Sequence, residues 1–218
     1  MAASTLTGST GNDTLNAPGS VSTLVQGLEG NDTISLVLAN DEAQGGAGND
    51  SIALTRAGTT TNTVYGGAGN DTVWIRSSAS FQGYVDLGAG NDTIRVGSAG
   101  ADAIANANIF GGEGADTLAI SNTVTNSTIG AGSSTDLIVF SAGGSVSTSL
   151  VFGGKQADTI RFNAGDTASV ASIGGGKGGD YIAFSQSTGA FTDTNVGGGQ
   201  GTDSIELGTG AKASISGG

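Results

Sequence analysis

The chain has 218 residues, of which 41 are glycine, and a net charge of −12 from 7 basic and 19 acidic residues. Hydrophobic residues make up 36% and aromatic residues 5%, too little bulk for a thick globular core and too much apolar content for a disordered chain. The negative charge argues against nucleic acid or an anionic membrane surface as partners, and the absence of cysteine and histidine excludes disulfides and the usual zinc sites.

A glycine-rich unit of nine residues recurs along the chain, as in "GGAGNDSIA" at 45–53 and "GGAGNDTVW" at 66–74. We number its positions 1 to 9, which puts an aspartate at position 6 of each of ten units. Successive aspartates are 18 to 24 residues apart, with a mean of about 21. In chain order they are Asp13, Asp32, Asp50, Asp71, Asp92, Asp116, Asp136, Asp158, Asp180 and Asp203.

Apolar residues flank each aspartate at fixed distances. They occupy position 8 in all ten units, position 10, and the site two residues before position 1 from the second unit onward, as at Val25 in the second unit and Val64 in the fourth. A spacing of two residues is typical of a strand with one buried face and not of a helix. Each unit therefore predicts one short strand before its glycine turn and one after it. Phe140, Phe162 and Phe184 share position 10, so we expect stacked rings there.

Stacking the units about 4.8 Å apart would align each apolar position into an interior row. A sandwich built from hairpins would not hold three such rows in one register. We therefore predict an all-β fold, a right-handed parallel β-solenoid (β-roll or β-helix) of about ten coils of roughly 21 residues. We expect a single domain over 1–218, with repeats over about 8–207. Coil length varies only after position 10, for example in "GSAGADAIANA" at 97–107, so we expect a variable loop on that side.

Stacking would bring the aspartates of adjacent coils roughly 5 Å apart, where two charges repel by about 3 kcal/mol at an effective dielectric constant of about 20. One isolated Gly-Asn-Asp is most simply a turn capped by its aspartate, but ten in register favour a bound cation. Ligands that are all oxygen select a hard cation, and a flexible loop favours calcium over magnesium. The candidate ligands are the ten aspartates above and the turn carbonyls near Gly11, Gly30, Gly46, Gly48, Gly67, Gly69, Gly88, Gly90, Gly112 and Gly114.

The units resemble the glycine-rich nonapeptide repeat of RTX proteins, G-G-x-G-x-D-x-U-x. "GGAGNDSIA", "GGAGNDTVW" and "GGEGADTLA" at 111–119 match every fixed position, as do "GGKGGDYIA" and "GGQGTDSIE". The resemblance covers about 8–207. It implies calcium bound in the turns by the motif aspartates and carbonyls, folding at extracellular calcium levels, and type I secretion without a cleaved signal.

Two departures from the family pattern matter. RTX β-rolls commonly carry a motif on both sides of each coil, whereas this chain has one, so we expect one row of calcium ions. Position 4 loses its glycine in "AGSSTDLIV" at 131–139 and "GGKQADTIR" at 153–161, and Lys155 and Lys177 lie beside the late turns. We therefore expect calcium chiefly from Asp13 to Asp116 and less from Asp136 to Asp180.

Several functional classes fit less well. Without histidine or cysteine the usual nucleophile machinery is missing, so we expect no enzyme. A polysaccharide lyase or epimerase would need an arginine base (Arg56, Arg76, Arg95 or Arg161), and no long loops build a cleft. Ice binding could use asparagine at position 5 and threonine at position 7, but the position 3 row is irregular in size and charge.

Two functions remain. We favour a structural protein of the bacterial cell surface or extracellular matrix (surface layer, filament or adhesin), because the repeats occupy nearly all of the chain. The alternative is the calcium-folding module of a larger secreted enzyme or toxin. The expected partners are calcium ions, further copies of the chain joined end to end or laterally, and a cell-surface polysaccharide. We expect an extracellular location without membrane insertion, since no apolar run approaches the roughly 20 residues of a membrane-spanning helix.

Overall fold

The computed structural model of the chain describes residues 4–55, 59–76, 80–97, 103–141, 143–163, 165–184, 191–208 and 213–216. These residues form strands and turns and contain no helix. The strands wind into a parallel β-solenoid of about nine turns of roughly 21 residues, which confirms the predicted fold class. The right-handed winding and the single-domain boundary at 1–218 stay predictions.

The strands are short, mostly of three to six residues. In chain order they are β1 (Ser4–Thr7), β2 (Thr14–Asn16), β3 (Thr23–Glu29), β4 (Thr33–Leu36), β5 (Glu42–Ala47), β6 (Ser51–Leu54), β7 (Thr63–Ala68), β8 (Thr72–Ile75), β9 (Ser80–Phe81), β10 (Tyr84–Ala89), β11 (Thr93–Val96), β12 (Ala103–Ala105), β13 (Asn108–Glu113), β14 (Thr117–Ile120), β15 (Thr123–Thr125), β16 (Thr128–Ser133), β17 (Leu137–Phe140), β18 (Ser145–Ser147), β19 (Leu150–Lys155), β20 (Thr159–Phe162), β21 (Thr167–Ser169), β22 (Ser172–Lys177), β23 (Tyr181–Ala183), β24 (Phe191–Thr192), β25 (Asn195–Gln200), β26 (Ser204–Glu206) and β27 (Ser214–Ser216).

Three parallel sheets run along the solenoid. The first has 11 strands in the order β1-β3-β5-β7-β10-β13-β16-β19-β22-β25-β27, and these strands lead into the glycine turns. The second has 10 strands in the order β2-β4-β6-β8-β11-β14-β17-β20-β23-β26, and these leave the turns. Equivalent residues face each other from coil to coil, for example Ile52 with Val73. The glycine turn is therefore the corner between the first and second sheets.

The predicted apolar rows form the interior of the solenoid. Residues at position 8 are fully buried from Ile34 to Ile182, and so are those two residues before position 1 from Val25 to Val196. At position 10 the rings of Phe140, Phe162 and Phe184 stack with centroids 4.5 and 4.8 Å apart. The rows weaken in the tenth unit, where Leu207 is 39% exposed.

A third sheet of six strands, in the order β24-β21-β18-β15-β12-β9, lies where we predicted a variable loop. The expectation of two strands per unit is therefore wrong for the coils that contain these strands. Each of these strands is only two or three residues long and turns a single side chain inward. The buried side chains are those of Phe81, Ile104, Val124, Val146, Ala168 and Phe191.

Candidate metal centre

The motif aspartates lie inside the glycine corner and form a continuous ladder. Eight of them are at most 3% exposed, whereas Asp13 and Asp203 at the two ends are half-buried. The main-chain N–H of each aspartate donates to Oδ1 of the aspartate one coil further on. An example is the 2.6 Å bond from Asp71 N to Asp92 Oδ1. Nine such bonds of 2.6 to 2.9 Å join all ten motif aspartates.

The second carboxylate oxygen of each inner aspartate has no hydrogen-bond donor. These buried Oδ2 atoms belong to Asp32, Asp50, Asp71, Asp92, Asp116, Asp136, Asp158 and Asp180. A buried anionic oxygen without a donor is costly, so native proteins pair such an atom with a donor or a cation. The same unpaired oxygen recurs in eight successive turns, and such an oxygen fits a bound cation.

At six inner turns, Oδ2 and a carbonyl oxygen of the next coil converge beside the glycine at position 1. At Gly66, a Cβ atom would stand 2.5 Å from Asp71 Oδ2 and 2.5 Å from the carbonyl oxygen of Leu87 in the next coil. Real Cβ atoms essentially never approach other atoms closer than 3.0 Å, so only glycine lets the main chain pass this close to the two oxygens. We call the place where the motif Oδ2 and the position 1 carbonyl of the next coil converge beside position 1 the turn pocket.

Turn pockets with both oxygens within 3.0 Å of the Cβ position occur beside six inner aspartates. The corresponding position 1 residues are Gly27, Gly45, Gly66, Gly111, Gly153 and Gly175. The end turns differ. At Asp13, Oδ2 already accepts hydrogen bonds from Ser9 N at 2.5 Å and Ser9 Oγ at 2.9 Å.

Burial raises the pKa of several motif aspartates. Desolvation is the largest cause, the hydrogen bond from the preceding aspartate N–H opposes it, and neighbouring aspartate charges add to it at Asp71, Asp116 and Asp158. The pKa reaches about 7 at these three residues, against an ordinary value of 3.8. These carboxyl groups would be partly protonated near neutral pH without a cation, so their charge depends on what occupies the turn.

The structure brings together part of the predicted ligand set. The motif aspartates line one corner, but no three acidic side chains gather around one point among the described residues. The carbonyl oxygens that meet Oδ2 belong to position 1. The predicted carbonyls at positions 2 and 4 instead abut the same glycine of the next coil, as Gly48 O abuts Gly69. A cation in a turn pocket would therefore have one carboxylate oxygen and main-chain oxygens as ligands.

The changes at position 4 do not alter the turn. Ser134 and Gln156 adopt φ angles of 99° and 71°, in the same left-handed region as the glycines they replace. Lys155 and Lys177 face each other in register and are exposed. The Oδ2 atoms of Asp158 and Asp180 lie in the same environment as those of the early turns. The assignment of calcium to individual aspartates stays a prediction.

A second ladder, of asparagine at position 5, braces the first five turns. The side-chain Oδ1 of each asparagine accepts the main-chain N–H of the next coil at 2.7 to 2.8 Å, from Asn12 to Asn91. This ladder runs in the opposite sense to the aspartate ladder. Its side-chain oxygens already accept main-chain hydrogen bonds within the protein, so this row of asparagines chiefly stabilises the turns.

Two buried aspartates outside the motif were missed by the sequence reasoning. Asp41 accepts N–H bonds from Thr23 and Leu38 at 2.9 Å, and Asp166 accepts them from Gly144 at 2.7 Å and Asn163 at 2.5 Å. Both side chains support corners away from the glycine turns. The sequence does contain a signal for both residues, because an aspartate that follows Asn or Gly in a loop is typical of side chains that cap turns. Arg56, considered above as a catalytic base, lies outside the described residues.

The donor chemistry of the turn pocket fits calcium. The pocket offers only oxygen atoms, one of them a carboxylate oxygen that lacks a donor, and a hard cation with flexible coordination suits such a set.

Among the described residues there is no helix that could cross a membrane.

Comparison with known proteins gives one family. The model of the RTX calcium-binding nonapeptide repeat matches the chain in four copies, at residues 3–17, 23–52, 56–74 and 106–119. The search of curated proteins and the search of solved structures returned no match. RTX nonapeptide repeats bind calcium and are typical of secreted proteins. With its motif aspartates stacked at one corner of a parallel β-solenoid, this chain carries RTX calcium-binding nonapeptide repeats.

Proposed function

We propose that the chain is a non-enzymatic structural protein of the bacterial cell surface or extracellular matrix, such as a surface layer, filament or adhesin. In this proposal a row of calcium ions at the glycine corner holds the coils together. The observation that carries it is the set of eight buried Oδ2 atoms without donors. Calcium would be held by these oxygens and by position 1 carbonyls, and when bound it would supply the positive charge that the stacked carboxylates lack.

Substitution at Asp71 tests whether the motif aspartates bind calcium. Asp71→Asn keeps a side-chain oxygen for the N–H of Asp50 but removes the charge, so we expect one fewer calcium ion per chain by equilibrium dialysis, with the fold retained. The surface carboxylate Asp86 gives the control, since Asp86→Asn leaves the turn untouched. Unchanged calcium binding in Asp71→Asn would contradict the proposal.

Lateral assembly is supported by an aromatic stripe on the outer face of the first sheet. The rings of Tyr65, Tyr84, Phe110 and Phe152 follow one another with centroids 5.8, 6.0 and 6.5 Å apart. Tyr65 is 40% exposed and the other three rings are half-buried. Leu150 in the same sheet is 43% exposed. Contiguous exposed apolar surface is typical of a protein–protein contact. We therefore propose that this stripe packs against a second copy of the chain.

Light scattering and electron microscopy of the purified chain at millimolar calcium test assembly. A structural protein should form filaments, sheets or oligomers, and Tyr65→Ser with Phe110→Ser should weaken them. A monodisperse monomer would favour the alternative function, a calcium-folding module of a larger type I-secreted enzyme or toxin.

The anchoring partner that we propose is an acidic cell-surface polysaccharide, because the outer face of the second sheet carries an isolated basic cluster. The guanidinium carbons of Arg76 and Arg95 lie 4.1 and 5.5 Å from the ring centroid of Trp74. Neither arginine forms an ion pair with a described residue. In a chain of net charge −12, two unpaired arginines around an aromatic ring complement an anionic sugar. Retention on immobilised hyaluronan should fall in Arg76→Gln with Arg95→Gln, and equal retention would exclude this cluster as the anchor.

A further inference from the structure

The coil of the third motif unit has a thinner apolar core than the coils around it. We call it coil 3 and define it by β5, β6 and residues 59–62. In the row two residues before position 1, every other unit from the second to the tenth has valine or isoleucine, whereas coil 3 has Ala43. Ala43 is fully buried, like its neighbours Val25 and Val64. The smaller side chain therefore leaves less apolar contact between coil 3 and the coils on either side.

Coil 3 also buries a hydroxyl group in the inward row of the third sheet. Thr60 forms a parallel bridge with Phe81 of β9, and the next residues of this row are Ile104 and Val124. Thr60 is 1% exposed, and its Oγ1 has no hydrogen-bond partner among the described residues. A buried hydroxyl without a partner destabilises the structure around it. Two inward positions of coil 3 are therefore weaker than the same positions in the following coils.

The remaining contacts of coil 3 are mainly polar. The third sheet ends at β9, and in the described part of coil 3 only the bridge of Thr60 continues it. At the corner before β7, Asn62 Nδ2 donates to the carbonyl oxygens of Leu38 and Asp41 at 2.7 and 3.2 Å. Such hydrogen bonds replace bonds to water, so their net contribution to stability is small. Coil 3 therefore depends more than its neighbours on the glycine corner.

We propose that coil 3 is a calcium-controlled breakpoint, which opens before the rest of the solenoid when calcium is limiting. In a stack where each coil contacts only its neighbours, one weak coil can open while the others stay folded. Asp50 joins coil 3 to both neighbouring coils through the aspartate ladder, and its buried Oδ2 has no donor. A cation at Asp50 therefore acts where the core is thinnest.

Opening at coil 3 has a consequence for association. It separates β5 from β3 and β7, its two neighbours in the first sheet, and strand edges freed in this way can pair with another chain. The calcium concentration then controls whether these edges are paired within the molecule. This inference rests on the proposed function and extends it to regulation.

Hydrogen exchange followed by mass spectrometry at graded calcium concentrations tests the proposal. As calcium is lowered, β5 and β6 should lose protection at a higher calcium concentration than β10 and β11 do. Thr60→Val removes the unpaired hydroxyl and keeps the shape of the side chain, so exchange of β5 and β6 at limiting calcium should slow by roughly fivefold or more. Thr14→Val, at an exposed position of β2, is the matched control and should leave these rates unchanged.

The reciprocal substitution moves the defect to another coil. Val124 is fully buried in the same row as Thr60, and Val124→Thr would place a hydroxyl there with almost no change of volume. In this variant β14 and β15 should lose protection at a higher calcium concentration than in the unaltered chain. Circular dichroism in saturating calcium reports whether the variant folds, and Thr60→Val provides the test on its own if it does not.

The outcomes separate this inference from the proposed function. If calcium protects the chain but all coils lose protection at the same calcium concentration, coil 3 is not a breakpoint and the inference is wrong. Equal exchange rates of β5 and β6 in Thr60→Val and in the unaltered chain would also overturn it. If calcium changes the exchange of no coil, the proposed function itself fails.

Discussion

Left-handed backbone at position 4 of the turn is required whatever residue occupies it. Gln156 takes a φ of 71° where eight other units place glycine. A residue with a Cβ atom pays roughly 1–2 kcal/mol for this conformation, and it recovers part of that because glycine is more flexible in the unfolded chain. The turn is therefore imposed by the stacked coils and is not specified by this residue.

Gln156→Gly should for this reason raise the free energy of unfolding by up to about 1 kcal/mol. Denaturant unfolding in saturating calcium measures the change. Gln156→Ala keeps the Cβ atom and should bring no such gain, so equal stabilisation by the two substitutions would show that backbone strain is not the cause.

The carboxyl groups of the ladder make the calcium-free fold sensitive to pH. Burial raises the pKa of Asp71, Asp116 and Asp158 to about 7 in the fold, whereas in the unfolded chain it stays near 3.8. The folded chain therefore binds protons more tightly than the unfolded chain. The stability that these three carboxyl groups contribute is fully present below about pH 4 and is lost as the pH rises through about 7.

Calcium-free protein should accordingly keep more of its far-ultraviolet β signal at pH 5 than at pH 8. Calcium replaces the protons, so its apparent affinity should increase from pH 5 to pH 8. Circular dichroism without calcium and calcium titrations, each at the two pH values, measure both trends. A calcium-free chain with a stronger β signal at pH 8 would contradict the burial of these carboxyl groups.

At the scale of the strands, the two sheets that meet at the glycine corner could be predicted from the sequence. Position 8 and the site two residues before position 1 lie at a constant distance from a turn whose length does not change along the chain. Ile52 and Val64 can therefore be assigned to their interior rows from the sequence. The third sheet could not be predicted in this way. Each of its strands contributes one inward side chain, such as Ile104 or Val124, and the connecting segments differ in length, so no period reveals it.

The glycine turn, too, could be predicted from the sequence only in part. The aspartates were predicted because Asp50 and Asp71 stand in an obvious motif. The carbonyls at the pocket were missed, because a carbonyl has no side-chain signal and its direction depends on the strand entering the corner.

Packing of the late coils depends on aromatic rings shared by two sheets. Phe162 stacks between Phe140 and Phe184 and also meets the edge of Phe191 from the third sheet. Phe162→Ala should therefore cost about 3–5 kcal/mol of stability, measured by denaturant unfolding in calcium. Phe162→Leu keeps most of the volume and should cost less. An equally small loss in both variants would mean that the rings are not tightly packed.

At the scale of the whole molecule, the solenoid is a one-dimensional stack in which each coil contacts only its neighbours. The ten motif units mark out about nine turns of the solenoid. Each inner aspartate is hydrogen-bonded to the neighbouring coils, so a cation that neutralises one aspartate would stabilise more than one coil. The low aromatic content and the 41 glycines leave a thin core. We therefore expect calcium at the corner to supply much of the cohesion between coils, so its removal should affect many coils together.

The most direct test of this account is a calcium titration of the calcium-free chain at pH 7.5, followed by far-ultraviolet circular dichroism. We expect a largely unfolded spectrum without calcium, a cooperative gain of the β signal as calcium is added, and its loss on chelation, while magnesium at the same concentration has little effect. A full β signal without calcium at this pH, unchanged by chelator, would contradict the claim that calcium at the glycine corner holds the solenoid together.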